Sequence, residues 1–232
     1  MTETNGLGQP VGEPVADWTP RPRPGRTPLD GISCRVVPLD AATHGAGLHD
    51  ANTVDADGRM WTYLPYGPFR SLSEYRSWVE TMQADDDPLF FTIEVSGRPA
   101  GVASYLRCDE DNGSVEVGHL AYSPSLQRTT AATEAMYLMM RRVFDELGYR
   151  RYEWKCDSLN APSRRAAQRL GFVYEGTFRQ ARVRYGRNRD DAWFSVVDGE
   201  WPRLRAAFEA WLDPSNFDET GRQRRRLEEL RA

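Results

Sequence analysis

Between Tyr122 and Phe172 the chain spells out a crossover unit, and no other stretch constrains the fold as strongly. The turn Ser123-Pro124-Ser125 ends a strand, and Leu126-Gln127-Arg128-Thr129-Thr130-Ala131-Ala132-Thr133-Glu134 opens a long amphipathic helix. Ala132, Ala135, Met136, Met139, Val143, Phe144 and Leu147 recur at helical spacing, which predicts a helix over 126–147 with Gly148 as its stop. A short strand follows over 152–157. Asn160-Ala161-Pro162-Ser163 then starts a second helix that stops at Leu170-Gly171-Phe172. Strand, helix, strand and helix in this order place ligands at the carboxyl ends of the strands.

The flanking segments read as a mixed α/β domain. Upstream, 32–37 is the first strand and Asp40 caps a helix over 41–52. The stretch 55–69 is aromatic but broken by Pro and Gly, hence a packed loop that either lines a pocket or forms a satellite core. Ser73 caps a helix carrying Tyr75, Trp78, Val79 and Met82, which Asp85-Asp86-Asp87-Pro88 terminates. Strands over 90–95, 100–107 and 114–122, joined by tight turns, make an antiparallel meander. In the third, alternation puts Val115, Val117 and His119 on one face and Glu116, Gly118 and Leu120 on the other. Downstream come a strand pair over 173–183 and 192–197 and a helix opened by Glu200-Trp201. A charged helix over 219–231, with five arginines and three glutamates, follows.

With 232 residues and 40% hydrophobic content, one domain over 29–213 is expected, with a Pro-rich arm over 1–28 and a charged extension over 214–232. Six prolines keep the arm from holding a helix or sheet ladder, so it should wrap the surface extended or remain mobile, with Trp18 as its anchor and Arg21, Arg23 and Arg26 solvated rather than bound to phosphate. A net charge of −4 argues against nucleic acid or membrane as partner, while the Arg-rich stretch 148–189 suits a phosphorylated small ligand. Cys34, Cys108 and Cys156 give no disulfide framework, and three histidines give no metal cluster or nucleophile triad. The start lacks a charged leader and an apolar run, so a cytoplasmic location is expected. The charged C-terminal helix is read as a solvated face, which leaves a homodimer open.

The helix start at Thr129-Thr130 is suited to an anion. A first helical turn offers unpaired N–H groups and a positive dipole end, and Thr130 and Ala132 are small enough to let a pyrophosphate approach. Arg128 adds a charge-assisted bond. Taken alone this signal is weak, because many helices begin with Thr and Ala.

The order of elements over 30–212 resembles the GNAT superfamily of acyl-coenzyme A-dependent N-acyltransferases, and within it the branch holding the ribosomal-protein alanine N-acetyltransferases. Gln127-Arg128-Thr129-Thr130-Ala131-Ala132 is similar to that family's pyrophosphate loop, Gln/Arg-x-x-Gly-x-Gly/Ala. Asn160-x-x-Ser163, Arg169-Leu170-Gly171-Phe172, Glu175-Gly176 and the stretch from Asp190-Asp191 to Trp201 match further pieces of its pattern. The resemblance implies the GNAT fold, a twisted, mixed and mostly antiparallel sheet flanked by helices. It also implies acetyl-CoA as cosubstrate and direct attack of a primary amine on the thioester. Thr130 stands where the first loop glycine is expected, which helical φ tolerates. Ala167 stands where many relatives carry the tyrosine that protonates the leaving thiolate, and Ser163 becomes the candidate acid.

From the same resemblance, Leu120, Ala121 and Tyr122 would hold the carbonyl and part of the pantetheine through backbone N–H groups. Residues Gln127 to Thr133 would cradle the pyrophosphate, Asn160 would bond the pantetheine arm or order its loop, and Arg128, Arg164 and Arg165 are candidates for the 3′-phosphate. Glu116 is the preferred base, because a carboxylate in an apolar strand is costly unless paired or used. A salt bridge to Arg150 or Arg151 is its plainer explanation. His119 is a second candidate that only a bulge could bring to the same side. Tyr63, Tyr66, Phe69 and Trp78 would shape the acceptor pocket. The acceptor expected is a small-molecule or aminoacyl amine. A protein N-terminus and a non-catalytic acyl-CoA-binding role are the alternatives.

Overall fold

The computed structural model describes residues 3–231. Ten strands and six α-helices are formed: β1 (Glu3–Thr4), β2 (Pro10–Val11), β3 (Leu29–Asp30), β4 (Arg35–Pro38), α1 (Ala41–Thr53), α2 (Leu72–Ala84), β5 (Leu89–Val95), β6 (Arg98–Asp109) and β7 (Ser114–Tyr122) come first. Then follow α3 (Thr130–Arg141), β8 (Arg151–Asp157), α4 (Ala161–Arg169), β9 (Val173–Arg184), β10 (Arg187–Val197), α5 (Trp201–Leu212) and α6 (Leu227–Leu230). Eight strands form one sheet in the order β3-β4-β5-β6-β7-β8-β10-β9. Every neighbouring pair is antiparallel except β7 and β8, which run parallel because α3 crosses between them.

Strand alternation divides the core in two. In β5, Leu89, Phe91 and Ile93 pack in a large cluster with α3 and α5, while Phe90 packs on the other face with Trp61, Tyr75 and Val79. The α3 stripe supplies Ala135, Met136 and Met139 to the large cluster, and Val143 follows just beyond the helix. On the second face, the aromatic loop completes the cover begun by α1 and α2: Trp61, Tyr66, Phe69 and Trp78 stack on one another at 4.4–6.3 Å.

Cap chemistry sets the helix starts. Asp40 Oδ1 accepts from the Thr43 N–H at 2.7 Å, as the sequence predicts. For α2 the cap is Ser71 and not Ser73. Ser71 Oγ accepts from the Glu74 N–H while Glu74 reaches back to the Arg70 N–H, a reciprocal arrangement that needs Glu three residues after the cap. The long helix begins at Thr130, four residues later than expected, because Thr129 Oγ1 caps the Ala132 N–H and Leu126 to Arg128 form a turn. A π-helical turn over Arg142–Glu146 and Gly148 at φ +69° end it. Beyond α5, among the described residues, a 3-10 turn at Pro214–Asn216 and the short α6 at Leu227–Leu230 are helical. Asn216 bonds across to the Trp211 and Arg225 carbonyls and holds 216–225 as a loop, which corrects the expected helix over 219–231.

The N-terminal arm is docked, not mobile, and β1 and β2 pair within it, which corrects the expectation that its prolines exclude a ladder. Trp18 Nε1 donates to the Asp111 carbonyl at 2.7 Å, and its ring lies so close to Gly113 that a Cβ there would run into it. Arg21 and Arg150 stack over the same ring. The arm arginines are not merely solvated. Arg23 pairs with Asp87 and Glu110, and Arg26 with Asp86, so the two acidic turns are the docking sites.

Candidate active site

β7 and β8 pair only from Ser114 to Val117 on one strand and Arg151 to Trp154 on the other. Beyond that they part. Leu120 to Tyr122 then have β6 on one side and no strand on the other, which leaves a gap bordered by backbone. Into its mouth opens a cavity of about 370 Å³, lined by residues of the aromatic loop, β6, β7, β8, α4, β9 and β10.

A bulge shapes the β7 wall. The pairs Ser104–Gly118 and Val102–Ala121 leave Ala103 opposite both His119 and Leu120, and His119 adopts φ +52°. The extra residue reverses the alternation after it, so Ala121 packs with the second cluster although Val115 and Val117 belong to the first. Glu116 and His119 consequently line one cavity, which strict alternation would forbid. The imidazole stacks on Tyr66 at 5.6 Å and leans on Phe90 at 5.0 Å, and its Nδ1 is buried without a partner.

Glu116 is 4% exposed. Its Oε2 accepts from Arg107 and, at 3.0 Å, from Lys155 Nζ; Oε1 carries neither bond. These partners replace the expected Arg150 or Arg151. Arg150 instead stacks on Trp18, and Arg151 pairs with Glu153 and Glu175. Lys155 also bonds Glu153 at 2.9 Å and lies 3.4 Å over the Trp193 ring. A sequence signal for Lys155 existed: Tyr152, Trp154 and Cys156 alternate inward, so Lys155 had to share the Glu116 face.

Other expected residues divide between wall and support. Tyr63, Leu120, Asn160 and Ser163 line the cavity. Ser163 Oγ accepts from Trp154 Nε1 at 3.0 Å, and the Asn160 side-chain oxygen caps α4 at the Ser163 N–H, at 3.1 Å, which spends that oxygen on the loop. Tyr66, Phe69 and Trp78 are not wall residues. Stacked against Trp61 and Tyr75, they belong to the second core, and of the four aromatic candidates only Tyr63 reaches the cavity. Met60, Leu64 and Pro65 supply the apolar wall in their place.

The cradle turn lies outside the cavity. Gln127 Nε2 holds the Tyr122 carbonyl at 2.8 Å, and Arg128 is exposed at φ +62°, so the unusual backbone falls on Arg128 and Thr130 is helical. With the Ala132 N–H capped, the first-turn N–H groups of Thr130 and Ala131 are those left for an anion. Thr133 faces inward. Its hydroxyl accepts from Arg169 at 3.0 Å, which removes it from the anion-facing side. Arg164 donates to the Ser158 carbonyl and stacks on Tyr174, whereas Arg165 is exposed. Ala167 is buried in the main core. Among the described residues no group of His, Cys, Asp and Glu could hold a metal ion, and no helix is long and apolar enough to cross a membrane.

A family model described as an acetyltransferase (GNAT) domain matches residues 38–173. The chain belongs to the GNAT acetyltransferase family. A GCN5-related N-acetyltransferase from Brucella melitensis is 47% identical with a TM-score of 0.92, over 94% of this chain and 99% of that one. A probable GNAT-family acetyltransferase from Chromobacterium violaceum is 39% identical with a TM-score of 0.78, over 84% and 98% of the two chains. The SPbeta prophage-derived uncharacterized N-acetyltransferase YokL of Bacillus subtilis is 29% identical over 132 residues, 57% of this chain and 74% of that protein. The GNAT fold and the enzyme class agree with the sequence expectation.

Burial, aided by Arg107 and Arg184, pushes the His119 pKa down from 6.5 to about 4. The imidazole is therefore neutral at pH 7. An unfolded chain takes up this proton first as pH falls, so the contribution of His119 to stability is complete above pH 6.5 and is lost between 6.5 and 4. The full loss is about 3 kcal/mol. Urea unfolding of wild type and His119→Gln across that window should show the wild type losing the additional stability. Parallel curves would refute the assignment.

Proposed function

We propose that the protein transfers the acetyl group of acetyl-CoA to the primary amine of a small molecule or aminoacyl conjugate, by direct attack on the thioester. The carrying observation is the cavity at the strand gap, which joins Glu116, His119 and Ser163 to a backbone-lined slot. A small acceptor is favoured because the aromatic loop is clamped over the cavity. Arg184 and Arg189 donate to the Tyr63 carbonyl, Tyr185 donates to the Leu64 carbonyl, and the Tyr63 hydroxyl donates to Leu159 O. An extended peptide would have to displace that loop.

In this reading the Thr130 and Ala131 N–H groups, with Arg128, would hold the pyrophosphate, and the free backbone of Leu120 to Tyr122 would hold the pantetheine and polarise the thioester carbonyl. The positive wall disfavours an ammonium, so the acceptor amine loses a proton readily on entry. Glu116 Oε1 would take the proton released as the N–C bond forms, directly or through water. The C–S bond then breaks, and Ser163 would pass its proton to the departing thiolate and regain one from Glu116 through the cavity. For an acceptor that arrives as an ammonium, one proton goes to solvent on entry and the other ends on the coenzyme thiol.

Calorimetry with acetyl-CoA, followed by thiol release in the presence of an amine panel, tests this. Micromolar binding with amine-dependent thiol release is the expected result. Binding without release across amines and short peptides would instead indicate an acyl-CoA-binding protein with no transferase turnover, consistent with a Glu116 occupied by Arg107 and Lys155.

A further inference from the structure

The cavity wall carries more positive charge than its chemistry requires. Five cationic side chains line it against two carboxylates, Glu116 and Asp157. Most of these cations are already answered. Arg107 and Lys155 bond Glu116, with Glu153 behind Lys155, and Arg182 and Arg189 bond the buried Asp191 at 2.9 and 2.7 Å. Arg184 is different. Among the described residues it has no carboxylate within salt-bridge distance, and its one hydrogen bond goes to the Tyr63 carbonyl at 3.2 Å. It is half-buried, and burial together with Arg189 and Arg182 disfavours its charge, while Asp191, already bonded to those two arginines, offsets this only in part.

A cation held beside two others without an ion-pair partner of its own is costly, and an incoming anion reduces that cost. Arg184 ends β9 at the hairpin that clamps the aromatic loop, and its bond to the Tyr63 carbonyl turns the guanidinium to that loop. The proposed pyrophosphate site at Thr130 and Ala131 lies outside this cavity, so the coenzyme's pyrophosphate leaves Arg184 unanswered. Met60, Leu64, Pro65 and Leu106 line the same space and suit an apolar body beside the charge.

We propose that the amine acceptor carries an oxyanion, a carboxylate or a phosphate, close to its amine, and that Arg184 seats that group inside the cavity. This rests on the acetyl-transfer reading and narrows its substrate class. The anion would orient the amine toward the strand gap, and a simple polyamine, with further positive charge, would be rejected by the same wall. Arg184 also weighs on the imidazole of His119, together with Arg107; the other groups against that ring are the uncharged Tyr66 and Phe90. Filling the Arg184 site would thus relieve His119 of part of the positive field.

The test uses matched acceptors in the full-length protein with acetyl-CoA: phenylalanine against phenylalaninamide, and phenylalaninol phosphate against phenylalaninol. Thiol release should favour the anionic member of at least one pair by about tenfold or more in kcat/KM, and the preferred pair separates carboxylate from phosphate. Arg184→Ala should bring that ratio to within about twofold of unity, and Arg184→Lys should restore part of it. Arg187→Ala, an exposed arginine in the same hairpin but outside the cavity, should leave the ratio in place. Preference for the neutral members, or a ratio that survives Arg184→Ala, overturns the proposal. So does an Arg184→Ala variant that loses acetyl-CoA affinity by calorimetry with no change in ratio, since the arginine would then serve the coenzyme. If no amine is turned over, calorimetry with N-acetylphenylalanine and inorganic phosphate decides. Binding that depends on Arg184 keeps the anion site and refutes acetyl transfer, and absence of binding refutes both.

Discussion

Glu116→Gln is expected to lower kcat/KM for amine acetylation by about 10²–10³-fold, with acetyl-CoA affinity held within about threefold. The substitution keeps the side chain's volume and removes the only property a proton acceptor needs. Structural collapse is not expected. Lys155, only 6% exposed at its side chain, retains Glu153 at 2.9 Å, and Arg107, 42% exposed, can turn to water. Steady-state kinetics on a turned-over amine, with calorimetric titration of acetyl-CoA as control, reads both effects. An unchanged kcat would transfer the proton-accepting role to His119, whose buried Nδ1 has no partner, and His119→Gln would then carry the loss.

Glu134→Ala is expected to cost about 3 kcal/mol or more of stability and to lower Tm by roughly 10 °C. The carboxylate, 4% exposed, accepts from the Ile32, Ser33 and Cys34 N–H groups and from the Ser33 hydroxyl at 2.5–3.1 Å. It ties the first turns of α3 to the β3–β4 turn, so its removal strands several donors at once. Glu134→Gln preserves the shape and should cost nearly as much, since its amide nitrogen would face N–H donors. Thermal unfolding of both variants separates lost acceptor from lost volume: a harmless Gln substitution would leave only packing as the role of the residue. Because the same helix start forms the proposed cradle, weaker acetyl-CoA binding should accompany the loss.

Glu134 also shows why part of this protein was not legible in its sequence. On the helix it reads as one more polar residue of a first turn, and its partners lie about a hundred positions away. The strands from the meander onward, the crossover helix and its partner α4 were legible, because period-two and helical spacing are local properties; the two-residue strands β1, β2 and β3 are too short to show a period. Asp40 was legible as a cap for the same reason, while the cap role of Asn160 was shown by the structure. The cap of α2 was displaced to Ser71, where the Glu74 spacing gave a local signal for the true start. The C-terminal helix was over-extended because a charged run is compatible with helix, whereas the Asn216 side chain, bonded to backbone on both sides, and Asp218, which accepts from Thr220 and Arg222, hold it as a loop.

By itself the sequence determined the order of elements, the parallel crossover at Tyr122 to Asp157, and the carboxylate placed on the central strand. These follow from side-chain periodicity and backbone chemistry within a few residues. Tertiary structure alone decided which residues meet. The β7 bulge turns His119 onto the Glu116 side, and the self-stacking of Tyr66, Phe69 and Trp78 removes them from the cavity. Folding of β9 against β10 brings in Arg184, while Asp191 pairs directly with its neighbours and leaves it without an ion pair. Alternation fixes the face of a regular strand. A bulge, a ring stack or a choice of counter-ion depends on contacts between segments far apart in the chain, and those energies exist only once the sheet has closed around them.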